Sequence, residues 1–379
     1  MLRFLTAGES HGKGLLALLE MIPAGISLSE EYIAGELKRR QGGYGRGARM
    51  QIEQDHAEIV SGVRHGFTIG SPIALLIRNR DWENWQDEMS VSVPEKEIEA
   101  VTRLRPGHAD LPGVAKYNFK DIRPVLERAS ARETAARVAA GAVCRRFLEA
   151  FGVELHSHVT AIGGVYAEPV DSIGWEKVEA SPVRCADPEA ERAMMEAIDQ
   201  AKEVGDSLGG TFEVVATGIP IGLGSHVQWD RRIDGRIAQA IMSIQAVKGV
   251  EIGAGFALAD LRGSLAHDEI SPGLTRPTNW AGGTEGGMTN GQPIVVQAAV
   301  KPIATIPAAL SSIDLRTGEP VKAHVERADV CVVPAAGVIG EAMLAVVLAG
   351  AFLEKFGGDH IEETLRNFRG YTEQLNARF

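Results

Sequence analysis

Apolar positions recur along this chain with two different spacings, and the changes from one to the other mark out its elements. Ile233, Ile237, Ile241 and Ile244 fall on one helical stripe, predicting a core-facing helix over 233–248 that ends at Lys248 and Gly249. Asp187 followed by Pro188 opens another helix that runs to about Gly205, since the carboxylate caps free amides and proline starts with a helical φ. Ser27 and Glu30 make a capping-box pattern ahead of Ile33 and Leu37. Residues 336–356 are almost wholly apolar and stop at Gly357, predicting a helix covered on most sides. Short apolar runs at 2–6, 15–20, 58–63, 73–78, 211–217, 293–300 and 328–333 predict strands, most bounded by Gly or Pro. They do not alternate regularly with the helices, which disfavours a doubly wound parallel sheet. The expected class is α+β, layered, with helices at the centre.

The chain has 379 residues, enough for one large core or for two to three domains of roughly 150 residues each. No linker, boundary-type charge run or fixed-period repeat divides it, so 1–379 is read as one domain. Hydrophobic residues at 45% and charged residues at 23% are ordinary for a globular protein. No stretch approaches the ~20 apolar residues of a membrane span, and solubility without membrane association is expected. The chain enters directly on Leu2 to Thr6, without the sections of a secretory signal, which implies the cytoplasm. Cys144, Cys185 and Cys331 are widely spaced and form no CxxC pair, so they are read as buried thiols. A net charge of −11 opposes broad binding to nucleic acid and makes local positive clusters informative.

The 43 glycines exceed the average share of about 7% and gather in short loops that carry the candidate chemistry. Gly8, Glu9, Ser10, His11, Gly12, Lys13 and Gly14 follow the first strand. Their glycine spacing is one residue short of a P-loop, and Gly14 stands where a magnesium-binding hydroxyl belongs. What remains is a turn bearing His11, either a backbone-bonded histidine or an acid–base group with an unperturbed pKa of about 6.5. Arg39, Arg40, Arg46 and Arg49 surround Gly42, Gly43, Gly45 and Gly47. Guanidinium forks with flexible backbone suit an anion clamp, a solvated basic loop or an RNA contact alike. Arg103, Arg105, Pro106 and Gly107 present a second histidine, His108. Ser130 and Glu133 form a capping box between Arg128 and Arg132, placing helix amides beside two guanidiniums, which suits a phosphate or simply caps a surface helix. Asp329, at the edge of an apolar run, needs a partner from Arg327 or a distant loop. Gln245 to Gly249 and the glycines at 282, 283, 286 and 287 would let backbone lie flat against a ring. The remaining histidines show no metal-ligand spacing, and no metal is expected.

In this order the loops resemble chorismate synthases along essentially the whole chain. The resemblance rests on GESHGKG from Gly8, ERASARETAARVAAGAV from Glu127 to Val143, and RADVCVVPAAGVIGEAM from Arg327 to Met343. It implies a sandwich of antiparallel sheets around central helices, and a homotetramer. It further implies a lyase that converts 5-enolpyruvylshikimate 3-phosphate into chorismate and phosphate, using reduced FMN without net redox change. By the same resemblance His11 and His108 keep cofactor and leaving phosphate correctly protonated, and Asp329 assists proton removal through the flavin N5. Arg40, Arg46, Arg49, Arg132 and Arg327 are similar to residues holding the substrate's phosphate and carboxylates or the adjacent cofactor. Arg128, Ala129, Ser130, Gln245, Ala246, Gly286, Lys301, Pro302, Ile303, Ala304, Thr305 and Arg327 match the FMN-binding positions. Ala328 stands where that family usually has Ser, His or Phe, and Met21 where it commonly has Gly. NADPH-driven reduction of the flavin would need a site of its own; no GxGxxG motif is present, which points to a separate flavin reductase. A phosphoryl-transfer enzyme and an RNA-binding or flavin-storage protein are the rival readings. The first lacks a metal or nucleotide loop; the second is opposed by the acidic balance and the lack of aromatic interleaving near Arg46, where Tyr44 stands alone.

Overall fold

Two antiparallel sheets face one another across a layer of helices in the computed structural model, which describes residues 2–47, 54–170, 172–326 and 328–378. The first sheet contains β1 (Arg3–Ala7), β2 (Gly14–Glu20), β3 (Ala57–Ser61) and β4 (Ile73–Arg78), in the order β1-β2-β4-β3. The second contains β5 (Glu154–Ile162), β6 (Val165–Tyr166), β7 (Gly210–Thr217), β8 (Val247–Ile252) and β9 (Ile294–Val300), in the order β8-β9-β7-β5-β6. Alternation decides which face turns inward. Leu15, Ala17 and Leu19 are buried opposite Ile77, Leu75 and Ile73, while Leu16 and Leu18 point outward. In the second sheet Phe212, Val214 and Ala216 pair with Ala298, Val296 and Ile294, all buried.

Eight helices bear on the argument: α1 (Glu30–Gln41), α2 (Asp110–Tyr117), α3 (Arg123–Arg128), α4 (Thr134–Glu149), α5 (Pro188–Glu203), α6 (Ile233–Met242), α7 (Val333–Phe356) and α8 (Ile361–Arg378). Helix α4 packs on β2 and β4, α7 packs on β5 and β7, and the two helices pack on each other. Their contact is close because both are rich in small residues. A Cβ on Gly141 would lie 2.4 Å from the Ala342 Cβ and 2.6 Å from its Cα. Gly141→Ala is therefore expected to force the helices apart and to cost about 1–3 kcal/mol in urea unfolding. Gly35→Ala, on α1 with nothing within 4 Å of its Cβ, is expected to change stability in the opposite direction by up to about 1 kcal/mol. Equal effects at the two sites would refute this account of the helix contact.

The expected central helices and flanking antiparallel sheets are present. Asp187 caps α5 by accepting from the amides of Glu189 and Ala190. The three cysteines are buried and unpaired. Other expectations need correction. The isoleucine helix stops at Met242, and 247–252 is strand β8, because Val250 and Ile252 pair with Ala298 and Val296 of β9. Helix α1 is capped by Ser29, whose Oγ accepts from the Tyr32 amide, and not by Ser27. Residues 328–333 form no strand; Cys331 makes one isolated bridge to Leu208, and α7 already begins at Val333. With 24 residues, α7 is long and apolar enough to cross a membrane by length and composition, contrary to the expectation that no stretch is, but it is enclosed between the sheets. Met21 takes a φ of 73°, left-handed backbone that accounts for glycine being common there in the resembling family.

Candidate functional site

A cavity of about 480 Å³ opens where the start of α7 and the entrance to α4 meet the glycine-rich loops. His11, His108, Asp329, Arg40, Arg46 and Arg132 all line it, although their loops are far apart in the chain. Ala129, Ser130, Gln245, Ala246, Lys301, Pro302, Ile303, Ala304 and Thr305 line the same space. Two predicted residues are placed elsewhere. Arg128 turns back onto the first strand, donating to the carbonyls of Gly8 at 2.9 Å and Thr6 at 3.0 Å. Gly286 sits at the turn of the hairpin formed by Thr284–Glu285 and Met288–Thr289, outside the cavity. Arg49 and Arg327 lie outside the described residues.

The arginines are arranged around a carboxylate that sequence reading did not single out. Asp55, whose side chain is fully buried, accepts from Arg132 at 2.5 Å and lies 3.2 Å from Arg40. Arg132 also donates from Nε to Asn79 at 3.0 Å, and Arg40 donates to Thr134 at 2.9 Å and to the Ala131 carbonyl at 3.1 Å. Each fork is thereby oriented by a fixed acceptor. Burial pushes the Arg40 guanidinium below its usual range, and the charges of Arg132 and Arg46 add to the shift while Asp55 opposes it. A crowded set of buried cations of this kind is relieved by an entering anion. Neither Asp55 nor Asn79 stands in a motif, so only the long-range pairing reveals them.

The two histidines share one construction. The buried carboxylate of Glu127 accepts from the His11 amide at 2.7 Å and lies 2.9 Å from His11 Nδ1, while the ring stacks on Trp85 with centroids 4.0 Å apart. Burial pushes the Glu127 carboxyl up, but its bonds to His11 and Arg123 outweigh this and hold it below the usual range. Asp110, also fully buried, lies 2.7 Å from His108 Nδ1 and accepts from Arg105 Nε and Nη2 at 2.9 Å each. Burial again raises the carboxyl, and Arg105 with His108 draws it well below the usual carboxylate range. In both histidines Nδ1 is the nitrogen that faces the buried carboxylate. Arg105 Nη2 lies 2.9 Å from His108 Nδ1 and 3.4 Å from its Nε2, so the guanidinium sits against the ring as well as against Asp110.

Asp329 finds its partner in Arg46, 3.2 Å away, and accepts from the Gly47 amide at 2.6 Å. This pair borders a second cavity of about 800 Å³, which shares Arg46, Gly47, Thr305, Ala328 and Asp329 with the first. The capping box at Ser130 forms only in part. Ser130 Oγ accepts from the Arg132 amide, but Glu133 turns away to accept from Thr6, Arg137 and Gln245.

The cavity suits a flat ring with a polar edge. Val332, Ala335, Ala336 and Ile339 give it an apolar wall. Gln245 donates to Glu133 at 3.1 Å, while its buried Oε1 has no partner among the described residues. Such an atom costs stability unless a ligand donor meets it. Ala246 takes a φ of 69°, a strained conformation that turns the chain between α6 and β8 against the same space.

The fold is an α+β sandwich whose helical layer ends in a basic, histidine-bearing cavity. The sequence profile described as chorismate synthase matches residues 2–353. The chorismate synthase of Aquifex aeolicus (strain VF5) is 57% identical over 392 residues, spanning 99% of this chain and 98% of that protein. That of Thermobifida fusca (strain YX) is 55% identical over 393 residues, spanning 100% of both. A crystal structure of a chorismate synthase shares the fold with a TM-score of 0.80 and 49% identity, covering 99% of this chain and 98% of that one. The chain belongs to the chorismate synthase family, whose members are lyases.

Proposed function

We propose that this chain converts 5-enolpyruvylshikimate 3-phosphate into chorismate and phosphate by an anti-1,4-elimination, the last common step of aromatic amino acid biosynthesis in the shikimate pathway, with FMN bound in its reduced form. The observation that carries the reading is the convergence of Arg40, Arg46 and Arg132 with His11 and His108 on one cavity. The reaction breaks a C–O bond to phosphate and a C–H bond at the far end of the allylic system, leaving a diene. Arg40, Arg46 and Arg132 hold the phosphate and carboxylates, and their charge stabilises the departing group by several kcal/mol. Arg49 and Arg327 belong to the same proposed set.

His11 and His108, each with Nδ1 against a buried carboxylate, would keep the leaving phosphate and a bound cofactor correctly protonated. Asp329 keeps Oδ1 on the Gly47 amide and has Oδ2 to receive a proton, weakening its pairing with Arg46 as it does so. Reduced FMN supplies electron density to an unactivated ring, which side chains do not. The apolar wall of α7, Gln245, Ala246, Ser130 with Ala129, and Lys301 to Thr305 would hold it.

An anaerobic assay with chemically reduced FMN and 5-enolpyruvylshikimate 3-phosphate is expected to form chorismate; a yield no greater than the enzyme-free control overturns the reading. A parallel arm with oxidised FMN and NADPH is expected to be silent, as a separate reductase requires. A cytoplasmic homotetramer completes the proposal. It is supported by the outer face of the first sheet, where Leu5, Leu16 and Leu18 are each more than a third exposed on neighbouring strands. Light scattering on the native protein tests it by mass.

A further inference from the structure

Glu127 and Asp110 lie outside the roles assigned above, and nothing about a generic core calls for either. Each is a fully buried carboxylate with an arginine on one side and a cavity-lining histidine on the other. We propose that Glu127 and Asp110 are positioning residues that lock His11 and His108 in one shared tautomer, with the proton on Nδ1 and Nε2 presented as the exchanging atom. This rests on the reading of the two histidines as the site's acid–base groups.

Three features distinguish the arrangement from a pair of structural ion pairs. The first is repetition: 105–110 by itself, and 123–127 together with His11, each bring an arginine, a buried carboxylate and a histidine together. The second is that Glu127 grips His11 twice, through the backbone amide and through Nδ1, so ring and main chain are held by one carboxylate. Thirdly, the groups around the His11 ring oppose its rotation, and the arginine beside His108 is itself held in place. His11 is clamped by Trp85, over which Arg123 also lies at 5.1 Å from the centroid. Arg123 in turn contacts both Glu127 at 3.1 Å and Glu326 at 3.0 Å, so Glu127 keeps its cation while facing the histidine. Arg105 is anchored to Thr305 at 3.2 Å as well as to Asp110. A neutral imidazole free of such a partner exchanges its tautomers, and only the form with an unprotonated Nε2 accepts a proton from the cavity.

The test is nitrogen-15 NMR of the full-length protein labelled at histidine, under conditions where the rings are neutral. Wild type is expected to show His11 and His108 with the proton on Nδ1. In Glu127→Gln, His11 is expected to give a substantial Nε2-protonated signal while His108 is unmoved, and in Asp110→Asn the reverse. Arg123→Gln keeps the carboxylate and is expected to keep the His11 tautomer. With each carboxamide variant kcat for chorismate formation should fall about 100-fold or more, with KM changed far less. Nε2-protonated histidines in wild type, or a tautomer indifferent to Glu127→Gln, overturns the proposal; should that variant not fold, Asp110→Asn decides the same question at His108. A correct tautomer pattern in a protein that forms no chorismate would sink the proposed activity and leave the lock standing.

Discussion

Arg132→Ala is expected to lower kcat/KM for chorismate formation by between about 30-fold and several thousand-fold. The range follows from truncating one member of a buried, hydrogen-bonded charge pair, which costs roughly 2–5 kcal/mol, at about 1.4 kcal/mol per tenfold. Two losses combine. The substrate's anion loses one oriented fork, and Asp55, with no exposed side-chain surface, keeps among the described residues the longer contact to Arg40 at 3.2 Å. Asp55 then stands beside the anion site without its nearer cation. Arg132→Lys restores charge without the fork and should recover only part of the loss, because Nε and Nη1 of the native residue serve Asn79 and Asp55 at once. Steady-state kinetics of both variants, with thermal unfolding to show that the fold persists, measure this. A tenfold or smaller effect for the alanine variant would remove Arg132 from the anion site.

The largest effect on stability is expected at Glu341, a charged residue in the middle of apolar α7 and 2% exposed. Its carboxylate accepts from Arg39 at 2.8 and 2.9 Å, from Arg145 at 2.7 Å, from Ser157 at 2.6 Å and from Arg184 at 3.3 Å. Burial pushes its carboxyl up, and the surrounding arginines outweigh that and keep it low. Glu341→Ala leaves three guanidiniums sharing Glu36 and Glu179, and is expected to cost about 3–5 kcal/mol in urea unfolding. Glu341→Gln keeps the volume but not the charge and should be nearly as damaging. Because α7 carries Ala335, Ala336 and Ile339 into the cavity, activity should fall together with stability. A loss under about 1 kcal/mol would show that Glu36 and Glu179 suffice without it.

Elements whose signals are local were legible in the chain. The cap of Asp187 with Pro188 needs only its own amides, and the apolar run 73–78 reads as a strand wherever the sheet lies, although five apolar residues in succession leave its inward face to the packing. Local signals also explain the errors. Ile244 continues the apolar stripe of α6 and is buried like its predecessors, yet the backbone has already left the helix for the turn that leads into β8, whose pairing with β9 begins at Val247. At 328–333 an apolar run reads as a strand, but no neighbouring strand offers a ladder there, and the run becomes a loop that sets Asp329 against Arg46. The Ser130/Glu133 pattern reads as a reciprocal cap because both residue types are present; Thr6, Arg137 and Gln245 compete successfully for the glutamate.

For the glycine-rich loops, residue chemistry alone established the candidate groups: forked cations, two histidines and a lone aspartate in turns where backbone approaches closely. Each had an ordinary alternative, and only their order, through the family resemblance, joined them into a site. What tertiary structure decided is which carboxylate faces each of them. Glu127 lies 116 residues from His11, Asp55 lies 77 from Arg132, and Asp329 lies 283 from Arg46. A side chain's protonation, orientation and strength as a ligand depend on the charge a few ångströms away, and packing two sheets around α4 and α7 is what sets those distances.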